Sequence, residues 1–163
     1  QYIVQNVGLS HSSLYESFGS KQGLFDQALG NYCRTNREGV KALLSNEKSV
    51  KTGIRNLLES SIHCTISDAD KKGCFVVNST TELVPGDDEM LKALSKNRAS
   101  FEKVFFEFLQ KGQATGEIPP NKDIKTLSGL IYTVFSGLNV IAKLEKSPKK
   151  LMAQIDQIVG LLD

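Results

Sequence analysis

The sequence predicts an all-α chain, and three observations carry that prediction. Apolar residues recur at helical spacing along most of its length, strand-like runs are almost absent, and the breaks between periodic segments hold cap and turn residues. At the start, Val7, Leu9, Leu14 and Phe18 are spaced to face inward. Gly8 suits a left-handed turn between two short helices, and Ser10 suits the N-cap of the second. Ser20 is the next N-cap, followed by Leu24, Phe25, Ala28, Leu29, Tyr32 and Cys33 on one helix face.

A polar break at Ser45-Asn46-Glu47 ends that helix. Val50, Ile54, Leu57, Leu58, Ser61, Ile62 and Thr65 then form a stripe closed by the loop SDADKKG. Cys74 to Val77 is short, apolar and β-branched, the one strand-like run in the chain. Pro85-Gly86-Asp87-Asp88 is turn chemistry with an Asp placed to cap a helix carrying Met90, Leu91, Leu94, Arg98, Phe101, Val104, Phe105, Phe108 and Leu109. That helix is expected to end between Gly112 and Gly116, before the rigid Ile118-Pro119-Pro120 connector. Asp123 to Lys146 is apolar on more than one face, and Pro148 suits the first turn of a last helix with Leu151, Met152, Ile155, Ile158, Val159 and Leu162.

The 163 residues suffice for one compact unit or a small module joined to a larger one. A formal net charge of +2 is too small to argue for nucleic acid, so any basic patch must be local. The three cysteines, Cys33, Cys64 and Cys74, lack paired spacing, so no disulfide framework is expected and a reducing compartment is the simplest setting. The run from Leu130 to Ala142 is interrupted by Thr133, Ser136, Gly137 and Asn139 and is shorter than the ~20 residues of a spanning helix. The first residue is Gln1, inside an apparent helix, which places the expected N-terminus upstream.

With the inward positions of the first segment assigned, His11, Ser12, Ser13, Tyr15, Glu16 and Ser17 remain for its outer surface. Small residues let a backbone approach DNA closely, while hydroxyls and imidazole can bond base edges or phosphate oxygens. Lys21 adds a positive charge where helix-start amides already attract anions. Taken alone, the same residues also read as an ordinary solvated helix face.

The segment G-L-S-H-S-S-L-Y-E-S-F-G-S-K-Q-G-L-F resembles the signature of the TetR-like bacterial transcriptional repressors, with turn residue, aromatic, Lys and apolar positions in register. It departs at Glu16-Ser17, where the family often has bulky aromatic or His residues, and the family's first helix and most of its second are absent. The resemblance implies a cytoplasmic, ligand-responsive repressor: an N-terminal helix-turn-helix over residues 1–30, partly truncated, and a helical ligand-binding and dimerisation domain over 31–163. It implies DNA contact by Ser10, His11, Ser12, Ser13, Tyr15, Glu16, Ser17 and Lys21, and a homodimer through the last two helices on a palindromic double-stranded operator. It further implies a helix, rather than a strand, after Gly73.

His63, Asn78, Arg98 and Tyr132 are polar groups on otherwise apolar stripes, and with Phe75, Phe101 and Phe105 they could line a site for a small apolar or amphipathic effector. His63 and Cys64 are helix neighbours about 100° apart, which makes a shared metal awkward, so no metal and no cofactor is expected. No G-x-S-x-G elbow, Gly-rich phosphate loop or H-E-x-x-H motif is present, which argues against an enzyme. The alternative function is a helical small-molecule-binding or thiol-sensing dimer that does not bind DNA in this form, with Cys74 near Lys71 and Lys72 as its candidate thiol.

Overall fold

In the computed structural model, residues 11–70, 72–145 and 147–163 are described, with backbone alone for His11, Leu14 and Tyr15. The expectations placed on Val7, Gly8, Leu9 and Ser10, and on the side chains of His11, Leu14 and Tyr15, lie outside the described residues. Among the described residues there are seven α-helices and no strand. They are α1 (His11–Phe18), α2 (Lys21–Ser45), α3 (Val50–Ser67), α4 (Phe75–Leu83), α5 (Asp88–Thr115), α6 (Ile124–Ile141) and α7 (Pro148–Gly160). A short 3-10 turn, Val84–Gly86, joins α4 to α5.

The chain divides into two compact units, Gln1–Thr35 and Asn36–Asp163. The sequence reading placed the division after residue 30. The helix runs through that position unbroken, so α2 contributes residues to both units.

In the larger unit α3, α5 and α6 start where a side chain satisfies free N–H groups of the first turn. Ser49 accepts from Thr52 N at the head of α3, and Asp87 from Met90 N (2.9 Å) at the head of α5. Asp123 accepts from Lys125 N and Thr126 N at the head of α6. Pro148 stands in the first turn of α7, where its missing N–H costs nothing. Gly116, at φ +77°, ends α5 in the left-handed conformation, and Ile118 N then reaches back to Gly112 O (3.0 Å).

The strand-like run Cys74 to Val77 opens α4, the helix that the family resemblance implies after Gly73. Four apolar residues cannot distinguish strand from helix by themselves, and no second strand exists for them to pair with; Val76 and Ser79, three apart, are the buried positions of the helical turn. The helix expected from Asp123 to Lys146 stops at Ile141, and Leu144, in the turns beyond it, is 76% exposed.

The core of the larger unit gathers Ile54, Leu58 and Ile62 of α3, Phe101, Phe105 and Leu109 of α5, Ile131 of α6, and Leu151 and Ile155 of α7. At one end the helices pack so closely that glycine is required. A Cβ on Gly53 would sit 2.6 Å from Phe108 Cζ, and one on Gly112 would sit 2.8 Å from Ile118 Cδ1 and 3.2 Å from Val50 Cγ2. Gly112 therefore lies inside α5 as a contact point, and the helix terminates at Gly116.

α6 stands apart from the other helices. It is long and apolar enough, by length and composition, to cross a membrane, although the sequence counted the apolar run as too short; the helix starts at Ile124, ahead of that run. Only 28% of it is buried, and Leu130, Val140 and Ile141 lie exposed on it. Half-buried Leu127 and Val134 on α6, and Met152 and Val159 on α7, pack against the edge of the core and extend this apolar surface.

Glu117, in the α5–α6 connector, holds the start of α3 from a distance in sequence. Its carboxylate accepts from the Ser49 hydroxyl (2.6 Å), Val50 N (2.7 Å) and Lys51 N (2.9 Å). Partial burial is the largest single influence and pushes its pKa up, but those donors and the Lys51 charge together hold it below the ordinary value of 4.5. A carboxylate with a depressed folded-state pKa contributes stability that is fully present above its unfolded value and is lost as pH falls through the folded one. The Glu117→Ala variant is therefore expected to unfold about 1–3 kcal/mol more easily near neutral pH. In urea titrations the gap from the parent should shrink as pH drops below 4.5; a gap independent of pH would show that the carboxylate charge is not what holds α3.

Candidate functional site

In the smaller unit, α1 ends at Phe18 and the chain reverses through Gly19 at φ +73°, a left-handed position that favours glycine. Ser20 then caps α2 as the sequence expects: its hydroxyl accepts from Gly23 N (2.9 Å), and its carbonyl from Leu24 N (3.0 Å). Gly23 has a role that the sequence did not reveal. A Cβ there would lie 2.2 Å from the Phe18 carbonyl oxygen, so the α1–α2 corner closes this tightly only with glycine.

That corner fixes the outer residues. Ser12, Glu16 and Ser17 are exposed along α1, Ser13 is half-buried, and Lys21 is exposed at the first residue of α2. Ser10 and the side chains of His11 and Tyr15 lie outside the described residues. The face thus presents small hydroxyls, one carboxylate, and one cation beside a helix N-terminus, which can receive a phosphate oxygen.

In the larger unit, Phe101, Phe105 and Tyr132 come together with Phe135, which the sequence had placed on the α6 stripe but not in the site. Phe101 lies 5.8 Å from Tyr132, 6.1 Å from Phe135 and 6.2 Å from Phe105, ring centre to ring centre. Phe105 meets Phe135 edge-on at 6.4 Å. Arg98 sits outside this wall, its guanidinium 2.7 Å from Glu102 and raised above its usual pKa by that hydrogen bond first. The buried polar position on this stretch of α5 is its neighbour Asn97, because the inward stripe runs Met90, Leu94, Asn97, Phe101, Phe105.

His63 is exposed on α3. Phe75 and Asn78 are half-buried on α4, with Asn78 Nδ2 donating to Lys72 O (3.0 Å). Cys74 is buried, Cys33 half-buried and Cys64 exposed, and none is in a disulfide. Among the described residues no cluster of His, Cys, Asp or Glu could hold a metal ion.

An all-helical chain with a short exposed helix and tight glycine corner in one unit, and an aromatic-walled helical bundle in the other, has the build of a ligand-responsive transcriptional regulator. The chain belongs to the tetracycline-repressor-like family: residues 51–158 match the family model described as "Tetracyclin repressor-like, C-terminal domain". It is 31% identical over 159 residues to the HTH-type transcriptional repressor ComR of Escherichia coli (strain K12), covering 97% of this chain and 74% of that protein. It is 26% identical to the HTH-type transcriptional regulator YezE of Bacillus subtilis (strain 168), covering 100% of this chain and 84% of that one. Among solved structures it is similar to a cysteine-substituted TetR family transcriptional regulator CifR complexed with a 26-bp double-strand operator DNA. The two share 28% identity and a TM-score of 0.85, over 98% of this chain and 83% of that one.

Proposed function

We propose that this chain is a cytoplasmic repressor that binds a palindromic double-stranded operator as a homodimer and releases it when a small apolar or amphipathic effector binds the larger unit. The observation that carries the DNA reading is the exposed line of Ser12, Glu16 and Ser17 on α1, ending at Lys21 beside the amides that open α2. Side chains at the start of α1 reach base edges, and Lys21 grips phosphate. CifR, the similar protein solved on operator DNA, supports that reading.

The apolar strip on α6 and α7 supports self-association. A second copy would cover Leu130, Val140 and Ile141 and set two α1 helices about 34–36 Å apart, on successive major-groove faces. The effector acts by population shift: it binds better when that spacing is wrong for the operator, and lowers DNA affinity by the difference. The long helix α2, which contributes to both units, is the natural lever.

The Lys21→Ala variant tests this reading, by fluorescence anisotropy against DNA from upstream of the protein's own gene. Binding is expected to weaken for every sequence, with the slope of log affinity against log salt reduced by about 1 per site. Unchanged affinity together with an unchanged slope would overturn the docking.

A further inference from the structure

Two buried polar groups of the larger unit have no hydrogen-bond partner among the described residues: the Asn97 carboxamide, at both Nδ2 and Oδ1, and the Ser61 hydroxyl. Asn97 is 6% exposed. Interiors seldom leave a buried amide uncompensated, because losing water without gaining a partner is costly. Two polar residues one turn along the bundle are served. The Thr65 hydroxyl reaches Ser61 O (3.0 Å) and Asn139 Oδ1 (3.3 Å), and Asn139 Nδ2 donates to Phe135 O (2.7 Å).

The helix register brings the two orphans to one level of the bundle. α3 and α5 run antiparallel, with Val50 against Gly112 and Gly53 against Phe108, so continuing along both sets Ser61 level with the Asn97–Phe101 turn. α5 and α6 are also antiparallel, since Gln113 near the end of α5 donates to Lys122 O just ahead of α6, while Phe101 and Phe105 meet Phe135; Asn139 lies a turn beyond it. The Thr65–Asn139 bond ties α3 to α6 at that same level. Asn97 and Ser61 thus stand where the aromatic wall of Phe101, Phe105, Tyr132 and Phe135 ends.

The charge around them is equally informative. Among the described residues the buried polar ones are Thr65, Ser79, Asn97 and Ser128, none of them charged, so an ionic head group would find no buried counter-charge there.

We infer that Asn97 and Ser61 are the polar end of the effector site, and that the effector is a small uncharged amphiphile; this rests on the effector-binding reading above. Its apolar body lies on the four aromatic rings, and its head is a hydroxyl or carboxamide. A carboxamide side chain offers two donors and one acceptor, and a serine hydroxyl offers both functions, so a head that donates and accepts satisfies the orphaned atoms. A ketone or ether satisfies only the donors.

Thermal unfolding of the full chain without DNA tests this, using benzamide and benzyl alcohol as uncharged probes, benzoate as the charged one and toluene as the apolar one. Millimolar benzamide or benzyl alcohol is expected to raise the melting temperature by about 2–6 °C, and benzoate and toluene to leave it unchanged. Asn97→Leu keeps the side-chain volume and removes the desolvated amide, so it is expected to melt higher than the parent without ligand and to lose both probe responses. Ser61→Ala, a milder change, is expected to at least halve them. An Asn97→Leu protein that melts lower, a benzamide shift that survives it, an equal shift with benzoate, or no response to either uncharged probe would each overturn the inference. Operator affinity of the ligand-free parent, measured in parallel, separates the two readings. Retained DNA binding beside a failed thermal test removes only this inference, whereas absent DNA binding removes the regulator reading itself.

Discussion

Replacing Phe105 by Ala is expected to lower the unfolding free energy by about 3–5 kcal/mol, the cost of a large cavity at a site that cannot collapse. Phe105 is fully buried and touches the rings of both Phe101 and Phe135, so its removal unsupports two neighbours as well as exposing its own void. For a chain of this size the loss corresponds to a fall in melting temperature of about 6–20 °C. Urea unfolding followed by circular dichroism measures it directly. A loss below about 1.5 kcal/mol would mean that the aromatic wall closes over the gap, and that Phe105 is a lining residue rather than a structural one.

The double change Leu130→Glu with Ile141→Glu is expected to act on assembly and leave the protomer fold intact. Both positions are exposed on the outer strip of α6, at 37% and 44%, and two carboxylates would have to be buried with no partner if a second copy covered them. Light scattering should report a monomer. Operator affinity should fall about 100-fold or more, because the second half-site then no longer binds as an intramolecular event. A variant that remains dimeric would place the interface elsewhere on the surface.

Helix existence was legible in the sequence where a stripe coincides with a cap or start residue. Ser20, Asp87, Asp123 and Pro148 all mark helix starts in the structure. The family resemblance rested on one short run, and it corrected the local preference of Cys74 to Val77 for extended structure.

What stayed hidden depends on geometry between helices. On α5 Asn97 and Arg98, about 100° apart, lie on either side of the buried stripe, and only packing decides that the shorter amide points in while Arg98 turns out to Glu102. Glu117 caps a helix whose first residues lie more than sixty positions earlier, a contact with no local signature. The close approaches at Gly23, Gly53 and Gly112 look, in sequence, like helix-weakening residues or helix ends.

The glycine contacts give the larger unit unequal stiffness along its length. Where Phe108 packs on Gly53, and Ile118 and Val50 pack on Gly112, side chains already fill the space a Cβ would need, and the contacts have no slack to give up. Thermal breathing of the bundle must therefore concentrate at the far end, pivoting about that closed seam like the leaves of a book about its spine. Backbone amides near Gly112 should be among the last to exchange with deuterated solvent, and those flanking Thr65 among the earlier ones.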